Sequence, residues 1–96
     1  MTIDEFYNRF NLNKYNFASI AGVGTRTLIK FARGETIREN SKKRIELAMR
    51  VAEKYNLVRP RYDTSWAFDS WRSTRFFQEV LDYEARFKDM IQKERD

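Results

Sequence analysis

Apolar residues along this 96-residue chain recur at spacings of three and four, and no stretch alternates as a half-buried strand would. In residues 2–10, Ile3, Phe6 and Phe10 share one helical face, with Thr2 as N-cap and Glu5 as its capping-box partner. Asn11-Leu12-Asn13 supplies turn-forming residues. Asn13 or Asn16 can cap a second helix running to about Ala21, with Phe17, Ile20 and Ala21 inward. Gly22 sits where that helix must stop and the chain reverse, which favours a left-handed backbone. A third helix follows, from about Thr25 to Ala32, with Leu28 and Phe31 inward and Gly34 ending it. Residues 35–39 form a loop. Asn40 and Ser41 offer an N-cap for a longer helix, Lys42 to about Tyr55, whose stripe is Ile45, Ala48, Met49, Ala52 and Tyr55. Asn56 and Pro60 close it. Residues 59–68 form an aromatic connection that wraps back, and a last helix runs from about Asp69 or Ser70 to Lys93. The expected fold is all-α, a helix-turn-helix bundle of about five helices, with residues 1–60 as one unit and 61–96 as a packing or dimerisation element.

The second and third helices meet the demands of a helix-turn-helix. Where the two helices cross, the residue must be small, and Ala18 is. Four residues on, the turn needs a positive φ, and Gly22 provides it. Val23 plugs the corner, and Leu28 and Phe31 face the core. These five positions leave Thr25, Arg26, Thr27 and Lys30 on the free side of a short helix. A polar, cationic leading edge of that kind is what the DNA major groove admits.

Residues from about 17 to 60 resemble the headpiece of lac-repressor-type regulators, within the broader lambda-repressor-like class. The match runs Ala18, Gly22-Val23, Thr27-Leu28, Phe31 and Gly34. It continues through Asn40-Ser41, Arg44-Ile45, Tyr55-Asn56-Leu57 and Arg59-Pro60. The resemblance implies that Thr25, Arg26 and Lys30 contact base edges, with Arg26 suited to a bidentate contact with guanine. It implies phosphate contacts for Lys14, Asn16, Thr27, Arg33, Asn40 and Ser41. Three features depart from the pattern. Gly24 stands where Ser usually caps the recognition helix, so the cap must be made by backbone or shift to Thr25. A helix precedes the motif. Beyond Pro60 nothing matches a sugar-binding domain, so no small-molecule effector is expected.

The last helix carries Phe76, Val80, Tyr83, Phe87 and Met90 at spacings of four and three, a seam of two to three heptads. Phe77 and Leu81 widen the stripe. The helix can pack across its own bundle, with Trp66, Phe68 and Trp71 as anchors. It can also pair with its mate in a homodimer, or do both with one edge each.

Composition narrows the chemistry. The chain has no Cys and no His, so disulfides, thiolate metal sites and histidine general bases are out, and no carboxylates gather in sequence. We expect neither an enzyme nor a cofactor. No run reaches the ~18 apolar residues of a membrane span, and the N-terminus lacks a basic leader, so the expectation is a cytoplasmic protein. Residues 1–60 hold 12 Lys/Arg against 6 Asp/Glu, and residues 61–96 hold 7 against 8, so the net charge of +5 comes entirely from the first unit. A basic module suits a polyanionic partner. The sequence thus predicts a sequence-specific double-stranded DNA-binding protein, a repressor-type transcriptional regulator of a bacterium, phage or mobile element. The alternative is a protein-interaction module, antitoxin-like or a phage adaptor, that works through its C-terminal helix.

Overall fold

Five helices form in chain order: α1 (Ile3–Phe10), α2 (Lys14–Ala21), α3 (Thr25–Ala32), α4 (Glu39–Tyr55) and α5 (Ser70–Arg95). The computed structural model describes residues 2–61 and 70–95, with side chains of the second stretch from Thr74 onward. The fold is all-α, with no strand among the described residues. No described helix is long and apolar enough to cross a membrane. The expected anchors Trp66 and Phe68, and the side chain of Trp71, lie outside the described residues.

Local signals set the helix ends. At α1 the Glu5 N–H donates to Thr2 Oγ1 (3.2 Å) and the Thr2 N–H donates to the Glu5 carboxylate (3.4 Å). At α2 Asn13 and Asn16 cap each other: Asn13 Oδ1 accepts from the N–H groups of Tyr15 and Asn16, and Asn16 Oδ1 accepts from the Asn13 N–H at 2.8 Å. Three helices stop at a left-handed residue: Asn11 (φ 54°) for α1, Gly22 (φ 76°) for α2 and Asn56 (φ 52°) for α4. The start of α4 differs from the sequence expectation. Asn40 and Ser41 do not cap it; the extended residue is Arg38, and Glu39 opens the helix. Glu39 is favourable there because a carboxylate in the first turn opposes the positive end of the helix dipole. Asn40 and Ser41 therefore lie inside the first turn.

Phe6, Phe10 and Phe17 are fully buried, with Phe6 4.9 Å from each of the other two ring centroids. Leu28 of α3 and Ile45, Ala48, Val51 and Ala52 of α4 complete the centre. The α4 stripe is shifted from the expected one, because Val51 is fully buried while Met49 and Tyr55 are only half-buried. Leu12, Leu57 and Ile91 also join the core from positions that short-range periodicity did not single out.

Within the chain, α5 packs along one edge against α4 and α2. Tyr83, Phe87 and Ile91, one helical stripe, are buried against the bundle, and Met90 is half-buried beside them. Phe76 and Val80 are half-buried, while Phe77 (66% exposed) and Leu81 (46%) face outward. The helix is fastened at two places. The Tyr83 hydroxyl donates to the Leu57 carbonyl at 2.8 Å, and burial drives its pKa up. Near the other end, Lys54 Nζ (2.6 Å) and the Tyr55 hydroxyl (2.9 Å) both donate to Glu94 Oε1. A separate clasp ties α1 to the chain after α4. The Asn11 amide donates to the carbonyls of Arg59 (3.1 Å) and Pro60 (3.3 Å), and the Arg59 N–H donates to Phe10 O at 2.9 Å.

Two predictions follow from these fastenings. Tyr83→Phe keeps the ring but leaves the Leu57 carbonyl unpaired in a buried site, so it should cost about 1–2 kcal/mol in urea unfolding. Glu94 is held below the usual carboxylate range, first by the Lys54 hydrogen bond and then by that of Tyr55. A lowered carboxylate pKa stabilises the fold fully above the unfolded-state value and loses that effect as pH falls through the folded-state value. Wild type should therefore melt above Glu94→Gln at pH 7, and the gap should close under acid. A constant gap across that range would exclude the ionised contact.

Candidate nucleic-acid interface

The α2–α3 corner takes its shape from backbone and small residues. The N–H groups of Gly22 (3.0 Å) and Val23 (3.1 Å) both donate to the Ala18 carbonyl, closing the end of α2. Any side chain at Gly22 would be strained by its φ of 76°. A contact from α4 holds the corner in place: Arg44 Nη1 donates to the Gly22 carbonyl at 3.0 Å. The sequence placed Arg44 in the headpiece match with Ile45 but not at this corner, because a contact across 22 residues leaves no local pattern.

Gly24 caps α3 with extended backbone (φ −72°, ψ 149°) and no side-chain hydrogen bond. The cap is therefore made by backbone and does not move to Thr25. With Leu28 buried and Phe31 half-buried on the core side, rotation of about 100° per residue turns Arg26, Lys30 and Arg33 outward. They stand at i, i+4 and i+7, all exposed, and form one cationic ridge along α3 and its C-cap. Arg33 approaches Glu35 at 3.9 Å, but both side chains are largely in solvent, where such a pair is worth little. Thr25 and Thr27 are half-buried to either side of that ridge.

A groove runs along each flank. On one side Thr27 and Lys30 meet Thr36, Ile37, Arg38 and Ser41 around a space of about 420 Å³. Two cations and three hydroxyls share this groove, and among the described residues no carboxylate lines it. Thr36 and Arg38 were not singled out from the sequence, because a loop position carries no periodic signal. On the other side, Lys14 and Arg33 line a groove of about 300 Å³ that also holds Asp4, Tyr7 and Ile29. Burial, with Asp4 adding to it, pushes the Tyr7 hydroxyl up to about 12, so it stays a neutral donor at physiological pH.

The remaining expected contacts lie near this surface but not in one place. Lys14 is exposed, its ammonium 5.3 Å from the centroid of the Tyr15 ring. Tyr15 itself is 65% exposed at the start of α2, a large aromatic beside a cation that periodicity alone did not flag. Asn16 is half-buried and spends its carbonyl oxygen on the capping box, which leaves its amide as donor. Asn40 is exposed on a different side of α4 from Ser41 and does not line the Arg38 groove.

Gly24 offers a direct test of the α3 start. Its φ is open to any L residue, and an added Cβ would meet only Thr27 Oγ1, at 3.9 Å. Gly24→Ser should add a side-chain cap and restrict the unfolded chain, raising stability by about 0.5–1 kcal/mol in thermal melts. A loss of stability would mean that α3 begins elsewhere. Comparison with protein-family models, curated proteins and solved structures gives no match for this chain.

Proposed function

We propose that this protein binds double-stranded DNA through α3, in the manner its resemblance to lambda-repressor-like headpieces implies, and acts as a repressor-type transcriptional regulator. One observation carries the proposal. The cationic ridge of Arg26, Lys30 and Arg33 projects from a short helix whose other side is packed, and a hydroxyl- and cation-lined groove adjoins it. A helix of this width enters the major groove, where Arg26 can donate two hydrogen bonds to guanine O6 and N7. The Arg38 groove suits a backbone phosphate, with Thr27, Thr36 and Ser41 as hydrogen-bond donors beside two cations. Lys14 and Tyr15 suit phosphate contacts at the start of α2.

Pairing of two chains would double these contacts at a fixed half-site spacing. With Tyr83 and Phe87 used inside the chain, such a homodimer would have to form on the edge that bears Phe77 and Leu81. The same exposed edge supports a second reading, in which α5 binds another protein and the helix-turn-helix is a scaffold.

Selection from a random duplex pool distinguishes them. DNA binding predicts an enriched motif, symmetric if two chains pair, and an affinity that falls steeply with salt. Arg26→Ala should cost about 1–3 kcal/mol and relax preference at one base pair. Arg38→Ala should weaken all sequences alike and reduce the salt slope by about 1. No enrichment, with no salt-dependent retardation, would leave the scaffold reading.

A further inference from the structure

A third basic groove lies beside α4 and is lined by none of the ridge residues of α3. Lys43, Arg44 and Arg95 converge on it, together with Asn40 and the half-buried Leu47, around a space of about 350 Å³. Its two cationic arms come from parts of the chain about 50 residues apart. Lys43 and Arg44 belong to the first two turns of α4, and Arg95 is the last residue of α5. The charge split along the sequence hid this meeting, since residues 61–96 are net acidic.

Among the described residues, no carboxylate lines this groove. The other charged residues at the end of α5 are matched: Lys93 lies 3.4 Å from Asp89, and Glu94 lies 2.6 Å from Lys54. Lys43, Arg44 and Arg95 have no ion-pair partner among the described residues. Three like charges repel one another in a shared groove, and an anion between them relieves that repulsion. Arg44 is already oriented, because one of its nitrogens is held by the Gly22 carbonyl. A guanidinium has five N–H donors, so others stay available. That same bond fixes the groove's position next to the helix-turn-helix corner.

We propose that this groove seats a phosphate group of the DNA backbone, so that α5 contributes Arg95 to the footprint. The inference rests on the DNA-binding reading above. It adds a contact outside the helix-turn-helix and makes the docking of α5 part of the binding surface.

The test uses the full chain and a duplex recovered by pool selection, with affinity followed by fluorescence anisotropy across a salt series. The double variant Lys43→Gln/Arg95→Gln should lower the salt slope by about 1, as for one lost phosphate contact, and weaken all sequences alike. Arg86→Gln/Lys88→Gln removes two exposed cations from elsewhere on α5 and should leave the slope unchanged. The single variant Arg95→Gln, at the helix end and outside the core, replaces the double variant if that one melts early. A parallel titration with inorganic pyrophosphate, read at the arginine side-chain Nε–Hε resonances, separates the two sources of phosphate. Pyrophosphate binding at Arg95 together with an unchanged duplex slope would make this a free-anion site and overturn the proposal. A wild type that binds duplex while the groove variant and the control behave alike would overturn the groove alone. A wild type that binds no duplex would overturn both readings.

Discussion

Three of the five helices are eight residues long, and isolated helices below about 12–15 residues are marginal in water. Their existence depends on burying one face each against something longer. For α2 and α3 that support includes α4, with 17 residues and four fully buried side chains, Ile45, Ala48, Val51 and Ala52. Phe6, Phe10 and Phe17 bring α1 and α2 together, and each such ring is worth roughly 1.5–3 kcal/mol when fully removed from water. Caps and left-handed stops then decide where each short helix ends, not whether it forms.

The candidate surface is the complement of that packing. Because Leu28 and Phe31 are committed inward, α3 has no freedom over what it turns outward. The ridge of Arg26, Lys30 and Arg33 is fixed by two apolar residues on the opposite side. Arg44 adds a second constraint, since it ties the corner between α2 and α3 to α4 and so fixes the pitch at which α3 projects. The grooves on either flank exist because a short helix leaves gaps at its ends, which the loop before α4 and the start of α2 only partly fill. Shape and charge here have one origin.

Much of this was legible because local rules governed it. Thr2 and Glu5, Asn13 and Asn16, and Gly22 act within four residues of one another, and their roles could be read from spacing. The start of α4 could not. Asn40 and Ser41 have the better capping chemistry, yet the chain enters the helix at Glu39, where no side-chain cap is needed to start the turn. Contacts between distant residues were equally silent. Nothing near Arg44 announces Gly22, and nothing near Arg95 announces Lys43. The seam on α5 was visible, but a stripe of aromatics reads the same whether it meets its own bundle or a second chain. The burial of Tyr83, Phe87 and Ile91 shows which edge of that stripe this chain's own core takes up.

The clasp between Asn11 and residues 59–60 has a kinetic consequence. It closes a loop spanning 48 residues, and closure of that length carries an entropic cost of roughly 3 kcal/mol that must be met before the joined ends gain anything. Within the loop, contacts between successive short helices are local and form quickly. The Leu57 carbonyl that receives Tyr83 lies just two residues before the clasp. Its own position is set locally, since the Leu57 N–H donates to the Ala52 carbonyl at 3.0 Å, so the landing site of Tyr83 does not wait for the loop to close. Connectivity therefore makes the clasp, and not the end of α4, the costly closure within residues 11–60.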